Sequence, residues 1–459
     1  MTQQNARVRP IEVVAGLSQV GLPAAFLAYE FFPGGVWAWA VGLFAILGLI
    51  GPWANAARTS RLLAGPMIIA SAVAVGWTGT EPLAEGVLAG AGVIAFILAA
   101  QILGDALVRG GYDRLIRALW SEIRWRTAWL ALLGGYVLSW VFMFTSMPVM
   151  YSALYRYDDA AREARSPVAK DLGILLARAY GAAAVATPMG ATVLVALAVT
   201  SVSLGDFLIV ATPLSLMMMP LALIGLGGRL RVLDEPGGRL VAERAPEGSR
   251  FAYSLLWAMV AALMTMIAIV SIFHLPPLSA VSLGAIIIAV VWGFLGVRFV
   301  PDAPGGFNGW GPELARYGRR LSDGGLLILA GSVVGTSLAR TPLMDSLAAA
   351  LSELNITIVG MVITIVVVVT LRIVGMPPPA IVLVAGPVLV RAVPLDADAM
   401  AVLLVAASIF GFLISPASLT SAIVSSLTGW SPVEVSLSRQ APFVFLAGAL
   451  SCVYVLLIS

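Results

Sequence analysis

The chain is poor in the residues on which most soluble enzymes rely. Its 459 residues include one cysteine (Cys452), one histidine (His274) and one lysine (Lys170). A single cysteine excludes an internal disulfide, and a single histidine excludes a multi-histidine metal site. Charge is scarce as well: Asp, Glu, Lys and Arg make up 11% of the residues, against roughly 25% in a soluble domain. No H-E-x-x-H, no G-x-S-x-G and no paired intramembrane aspartates occur, so the chain is expected not to be an enzyme and to carry no cofactor.

Apolar residues fill the space that charge leaves. They make up 60% of the chain, and the mean hydropathy is +0.98. Stretches of membrane-spanning length recur from end to end, which predicts an all-α polytopic protein whose first partner is the lipid bilayer. A net charge of +3 would suggest nucleic acid in a soluble protein. Here it reads as loop arginines that orient the chain, and no nucleic-acid partner is expected. The first apolar stretch is read as a retained span, with no cleaved signal peptide expected.

Eleven spans are predicted, at about 11–31, 36–52, 63–80, 85–107, 171–201, 206–227, 251–273, 279–299, 323–340, 400–427 and 441–459. Two further apolar segments, 128–145 and 355–373, are each followed closely by a short second arm, at 147–156 and 377–390. Such pairs read as re-entrant hairpins that enter and leave on one side. With the N-terminus in the cytoplasm, all but four of the 27 Lys and Arg residues fall in cytoplasmic loops, in the N-terminal tail or at their membrane edges. The four exceptions are Arg178, Arg340, Arg372 and Arg391. This asymmetry follows the positive-inside rule, predicts an external C-terminus and suits a cell inner membrane.

The chain also repeats itself. Residues 95–119 align with 327–351, 146–154 with 375–383, and 180–207 with 410–435, in the same order and at similar offsets. The reading is a first repeat at 34–228 with a cytoplasmic-side hairpin (128–156), a linker at 229–250, and a second repeat at 251–459 with an outer-side hairpin (355–391). Residues 1–33 precede both. Each repeat holds an odd number of spans plus a hairpin, so the two copies must be inverted. Inverted repeats with broken helices meeting at the midplane are an architecture of secondary transporters. Opposed hairpins, with no ring of like charges, argue against a channel.

Chemistry is expected where the repeats break. Thr145-Ser146-Met147-Pro148 and Gly375-Met376-Pro377-Pro378 form the hairpin tips. Pro188 and Pro416 interrupt the two long spans, with Thr187, Thr192, Ser415, Ser418, Thr420 and Ser421 beside them. A proline inside a helix frees a carbonyl, and half-helix ends offer N–H dipoles to anions and carbonyls to cations. Arg372 lies one turn before the second tip, far from either interface. A mid-bilayer arginine costs roughly 2.5–3.5 kcal/mol, so a counter-charge for an anionic substrate is the functional reading and capping of carbonyls the structural one. The alignment pairs Arg372 with Met143. Arg178, near its span's cytoplasmic end, is expected to snorkel. Substrate contacts are therefore assigned to Ser146, Met147, Pro148, Thr187, Pro188, Thr192, Arg372, Gly375, Met376, Pro377, Ser415, Pro416, Ser418 and Thr420. No transition-metal site is expected. A coupling Na⁺ is assigned to Thr145, Ser146, Thr187, Gly375 and Ser415, with Asp105 as the one carboxylate that a small boundary shift would bury. Ser203/Asp206 and Ser431/Glu434 read as matched capping boxes. Residues 112–126 form a basic amphipathic helix for the interface, with 342–354 as its repeat partner.

A hairpin followed by a proline-broken helix with small polar residues, once per half, resembles the ion transporter superfamily, which includes divalent anion/sodium symporters, the large membrane subunits of TRAP transporters and arsenite-type permeases. The resemblance covers essentially the whole chain after the first span. It implies a scaffold, a transport region that slides as an elevator, and a homodimer formed through the scaffold. The chain differs from the dicarboxylate symporters in lacking the Ser-Asn-Thr motif at both tips. The expectation is a cation-coupled carrier of a small organic anion, a carboxylate or dicarboxylate. The alternatives are a TRAP-like subunit needing soluble and membrane partners, or an oxyanion exporter or cation–proton antiporter of the same fold.

Overall fold

The computed structural model describes residues 10–56, 58–109, 127–142, 146–147, 150–151, 167–188, 190–226, 275–299, 310–353, 357–373, 376–416 and 418–459. The expected span at 251–273, the linker at 229–250, the amphipathic helix at 112–126, His274 and Met143 lie outside them. Every regular element among the described residues is helical. In chain order these are α1 (Pro10–Phe31), α2 (Gly35–Asn55), α3 (Arg58–Thr78), α4 (Glu81–Arg109), α5 (Thr127–Phe142), α6 (Pro167–Ala184), α7 (Ala191–Thr200), α8 (Leu204–Ala222), α9 (Pro277–Phe299) and α10 (Trp310–Ala339). They continue with α11 (Pro342–Glu353), α12 (Thr357–Ile373), α13 (Pro378–Ala392), α14 (Ala397–Ile414), α15 (Leu419–Thr428), a π-helical segment (Glu434–Gln440) and α16 (Ala441–Ile458).

Five helical stretches among the described residues are long and apolar enough to cross a membrane: Ser60–Thr78, Glu81–Leu103, Leu204–Ala222, Ala397–Ser425 and Glu434–Ile458. Shorter apolar helices include both arms of the second hairpin, the first arm of the first hairpin, and α7. Their outward faces carry large apolar side chains, such as Ile209, Phe445 and Leu457, as a lipid-facing surface requires. The protein is therefore a helical membrane protein by composition, length and surface.

The long spans expected at 171–201 and 400–427 are each two helices. In both, an 18-residue helix (α6, α14) stops, and a 10-residue helix (α7, α15) restarts after a short irregular stretch. Five other prolines, Pro23, Pro66, Pro213, Pro220 and Pro387, sit inside uninterrupted helices. Proline alone removes one hydrogen bond and leaves the rest of the ladder intact. What distinguishes Pro188 and Pro416 is a new start two residues later, at Gly190 and Ser418, the N-cap residues of α7 and α15.

The endings match as well. Both α7 and α15 finish on a left-handed residue, Ser201 (φ 59°) and Gly429 (φ 70°). Two residues on, Ser203 accepts from the Asp206 N–H at 3.1 Å, and Ser431 accepts from the Glu434 N–H at 3.2 Å. The expected cap bonds are thus present in both copies, which leaves Asp206 and Glu434 structural.

Packing divides the described helices into two groups. α1–α4 pack with α9 and α10, while α5–α8 pack with α12–α16 and the π segment. In the second group α5 lies against α6 as α12 lies against α14, and α8 against α6 as α16 against α14. The groups meet chiefly where α10 lies on α13, with α7 also touching α4 and α9. Gly331 and Gly335 bring α10 down onto the α13 backbone: a Cβ at Gly335 would collide with the Leu383 carbonyl. One difference from the sequence reading is the start of α10, at Trp310 rather than near 323.

Candidate functional site

The site begins with two hydroxyls that reach out of the helix breaks. Thr187 Oγ1 donates to the Trp140 carbonyl at 3.1 Å, and Ser415 Oγ donates to the Arg372 carbonyl at 3.4 Å. Each bond joins a break to the last turn of the first hairpin arm, α5 or α12. Both hairpin arms therefore end at the level where the long helix is interrupted. By hydrogen bonding, the first-half residue that matches Arg372 is Trp140, three positions before the Met143 paired with it by alignment.

Around the first break, Ser146 Oγ lies 2.7 Å from Ser139 Oγ, which itself donates to the Gly135 carbonyl. Ser146, Met147, Thr187, Pro188 and Thr192 are all buried. Thr145 and Pro148 lie outside the described residues. Around the second break, Ser418 accepts from the Ser421 N–H at 3.0 Å and caps α15. Ser421 Oγ donates to the Ser415 carbonyl at 2.9 Å, and Ser418 Oγ lies 2.9 Å from Ser421 Oγ. These hydroxyls hold the break in shape. The Thr420 and Ser408 hydroxyls are buried without a partner among the described residues. Pro377 is the N-cap residue of α13 and Pro416 lies half-buried in the break; Gly375 lies outside the described residues.

Arg372 ties the second hairpin tip to the second break. Its side chain is 4% exposed. Nη1 donates to the Met376 carbonyl at 2.7 Å, Cζ lies 4.9 Å from the centre of the Phe412 ring, and buried Nε has no acceptor among the described residues. Gly411 makes room for it, since a Cβ there would sit 3.0 Å from Arg372 Cβ. The Tyr180 ring, from α6, lies 6.2 Å from that of Phe412, and Tyr180 is within electrostatic reach of Arg372. Arg372 thus stands where both halves meet.

That meeting is an antiparallel crossing. Gly181 lies against Leu413, while Gly173, earlier in α6, lies against Thr428, later in α15. Tyr180, Phe412 and Trp140 were not singled out from sequence. The one signal for Tyr180 was its spacing of seven residues from Thr187, which would put both on one face of the continuous span read from sequence; the helix instead stops at Ala184.

The other three exceptional arginines have partners. Arg178 does not snorkel. It is 4% exposed and donates to the carbonyls of Ala222 (3.1 Å), Ile224 (2.8 Å) and Arg439 (2.6 Å), which cap the end of α8 and the π segment. Arg340 pairs with Glu85 at 2.6 Å. Arg391 pairs with Asp345 at 3.2 Å and donates to the Ala339 carbonyl at 2.9 Å. Asp105 falls in the last turn of α4, and its side chain is not among those described. Comparison with protein-family models and with curated proteins gives no match to this chain.

Proposed function

We propose that the protein is a secondary active carrier that moves a small organic anion, a carboxylate, across the cell inner membrane, coupled to Na⁺. The observation that carries this reading is Arg372: a buried guanidinium at a hairpin tip, with Nε lacking an acceptor and no carboxylate paired with it among the described residues. A charge kept in such a position is expensive without a use. In this reading the carboxylate takes the free edge of Arg372 bidentately, and freed carbonyls and hydroxyls at the two breaks hold the cation. Two observations support an elevator. The helices fall into two packed groups, and both hairpin arms end level with a helix break, as re-entrant segments in inverted repeats would. The scaffold would be α1–α4, α9 and α10, the part through which a homodimer would form. The inward-facing N-terminus rests on the arginine distribution.

The test is thermal stabilisation of the purified protein by a panel of small carboxylates, with and without Na⁺. A ligand at 100 times its dissociation constant should add about 2.7 kcal/mol to the folded state. A shift that one carboxylate gives, that Na⁺ enhances and that Arg372→Ala loses is the expected result. Stabilisation unchanged in Arg372→Ala would remove the role given to that residue. No shift with any carboxylate would favour a subunit that needs a binding protein.

A further inference from the structure

We infer that the anion is a monocarboxylate with an apolar body, and that Tyr180 helps to select it. This rests on the carrier reading above and narrows its substrate class.

The first ground is charge. Two guanidiniums are buried in the second helix group, and they are not equivalent. Arg178 is committed to three carbonyls. It also points away from the site, because Arg178 and Tyr180 are two residues apart on α6 and so face about 200° away from each other. Arg391 is held by Asp345, and Lys170 and Arg439 lie 5.2 and 4.5 Å from the ring centre of Trp430, beyond the start of α6. The undescribed residues of the tips and breaks (143–145, 148–149, 189, 374–375 and 417) contain no charged side chain. Among the described residues Arg372 is therefore the site's one fixed positive charge, enough for one carboxylate. A second would sit uncompensated in a low-dielectric interior.

The second ground is the lining. Nη1 is occupied by the Met376 carbonyl, which leaves the Nε/Nη2 edge, the pair of N–H groups that meets a carboxylate side-on. Beside the guanidinium is the ring of Phe412, with the Tyr180 ring 6.2 Å beyond it. Ser415, Ser418 and Ser421 are engaged in bonds that shape the break. The rings of Phe412 and Tyr180 thus offer the far end of the ligand aromatic surface, with the Ser408 and Thr420 hydroxyls the unpartnered polar groups of α14 and α15. The Phe412 ring lies against the guanidinium at 4.9 Å, a contact that leaves the Nε/Nη2 edge open to a carboxylate. The Tyr180 phenol, on the ring next to Phe412, is a neutral donor that could add a hydrogen bond to the same carboxylate.

The experiment compares butyrate and benzoate with succinate by direct binding to the purified full chain in detergent, with and without Na⁺. The variants are Arg372→Lys, Arg372→Ala and Tyr180→Phe, each first checked for monodispersity. The monocarboxylates are expected to bind at least about tenfold more tightly than succinate in both salts. Arg372→Lys should weaken them, Arg372→Ala should abolish them, and Tyr180→Phe should weaken them about tenfold. Succinate bound more tightly than butyrate, and lost in Arg372→Ala, would overturn the monocarboxylate inference and leave the carrier reading standing. Unaltered affinity in a folded Tyr180→Phe would overturn the role of Tyr180. Failure of all three anions to bind would overturn both readings.

Discussion

Two buried arginines of equal exposure have opposite uses. Arg178 satisfies three carbonyls left over at helix ends. Arg178→Met would strand all three, so a loss of about 3 kcal/mol in unfolding free energy is expected. Denaturant unfolding in detergent would read it. Arg372 has one hydrogen bond and one ring contact, and its burial is itself costly. Arg372→Met is expected to change stability by no more than about 1 kcal/mol while abolishing anion binding. An inverted ranking, with Arg372→Met the more damaging to the fold, would make Arg372 the structural residue. Ser201 is a third informative side chain. It is the one non-glycine residue at positive φ among the described residues, and Ser201→Gly should stabilise by about 1 kcal/mol.

At the scale of elements, the two broken helices are the clearest pair. They share lengths of 18 and 10 residues, a left-handed stop and a serine-capped continuation. Gly429→Ala, the reverse of the Ser201 change, should destabilise by about 1 kcal/mol, measurable as a lowered midpoint. Much of this was legible in the sequence. The motif ATPMGAT announces both a stop and a new N-cap, as does SPASLT, and S-x-x-D/E announces the next helix start. These signals are local, so single-chain chemistry carries them. The contacts of Arg372 were not legible. Phe412 reaches it because α12 packs on α14, and Tyr180 comes beside Phe412 because α6 crosses α14 at Gly181; nothing within a few residues of Tyr180 encodes the partner of that crossing. The fate of Arg178 was missed for the same reason. Its acceptors lie 44 and more residues away, whereas snorkelling is a judgement from span position alone.

At the scale of the molecule, the described helices form two groups joined along α10 and α13. A Cβ at Gly331 would lie 3.1 Å from Ala380 Cβ, so a separation of a few tenths of an ångström more would bring the pair into the roughly 3.5–4.5 Å that a disulfide spans. Cys452 is the chain's only cysteine, so Gly331→Cys with Ala380→Cys in a Cys452→Ser background should cross-link cleanly under mild oxidation. Locking the groups is expected to stop uptake into vesicles and to spare anion binding, with uptake recovered on reduction. Uptake by the oxidised form would count against sliding of one group on the other. Arg372 belongs to the group proposed to slide, and its single charge then gives the cycle an electrical sense. In the carrier reading a bound monoanion would cancel that charge, and without the anion the guanidinium would move through the membrane field uncompensated. Full passage of one elementary charge is worth about 2.3 kcal/mol per 100 mV. With Na⁺ bound beside the monoanion, the loaded core of such a carrier would keep a net positive charge, so a membrane potential negative inside would favour the inward-facing core on both limbs of the cycle.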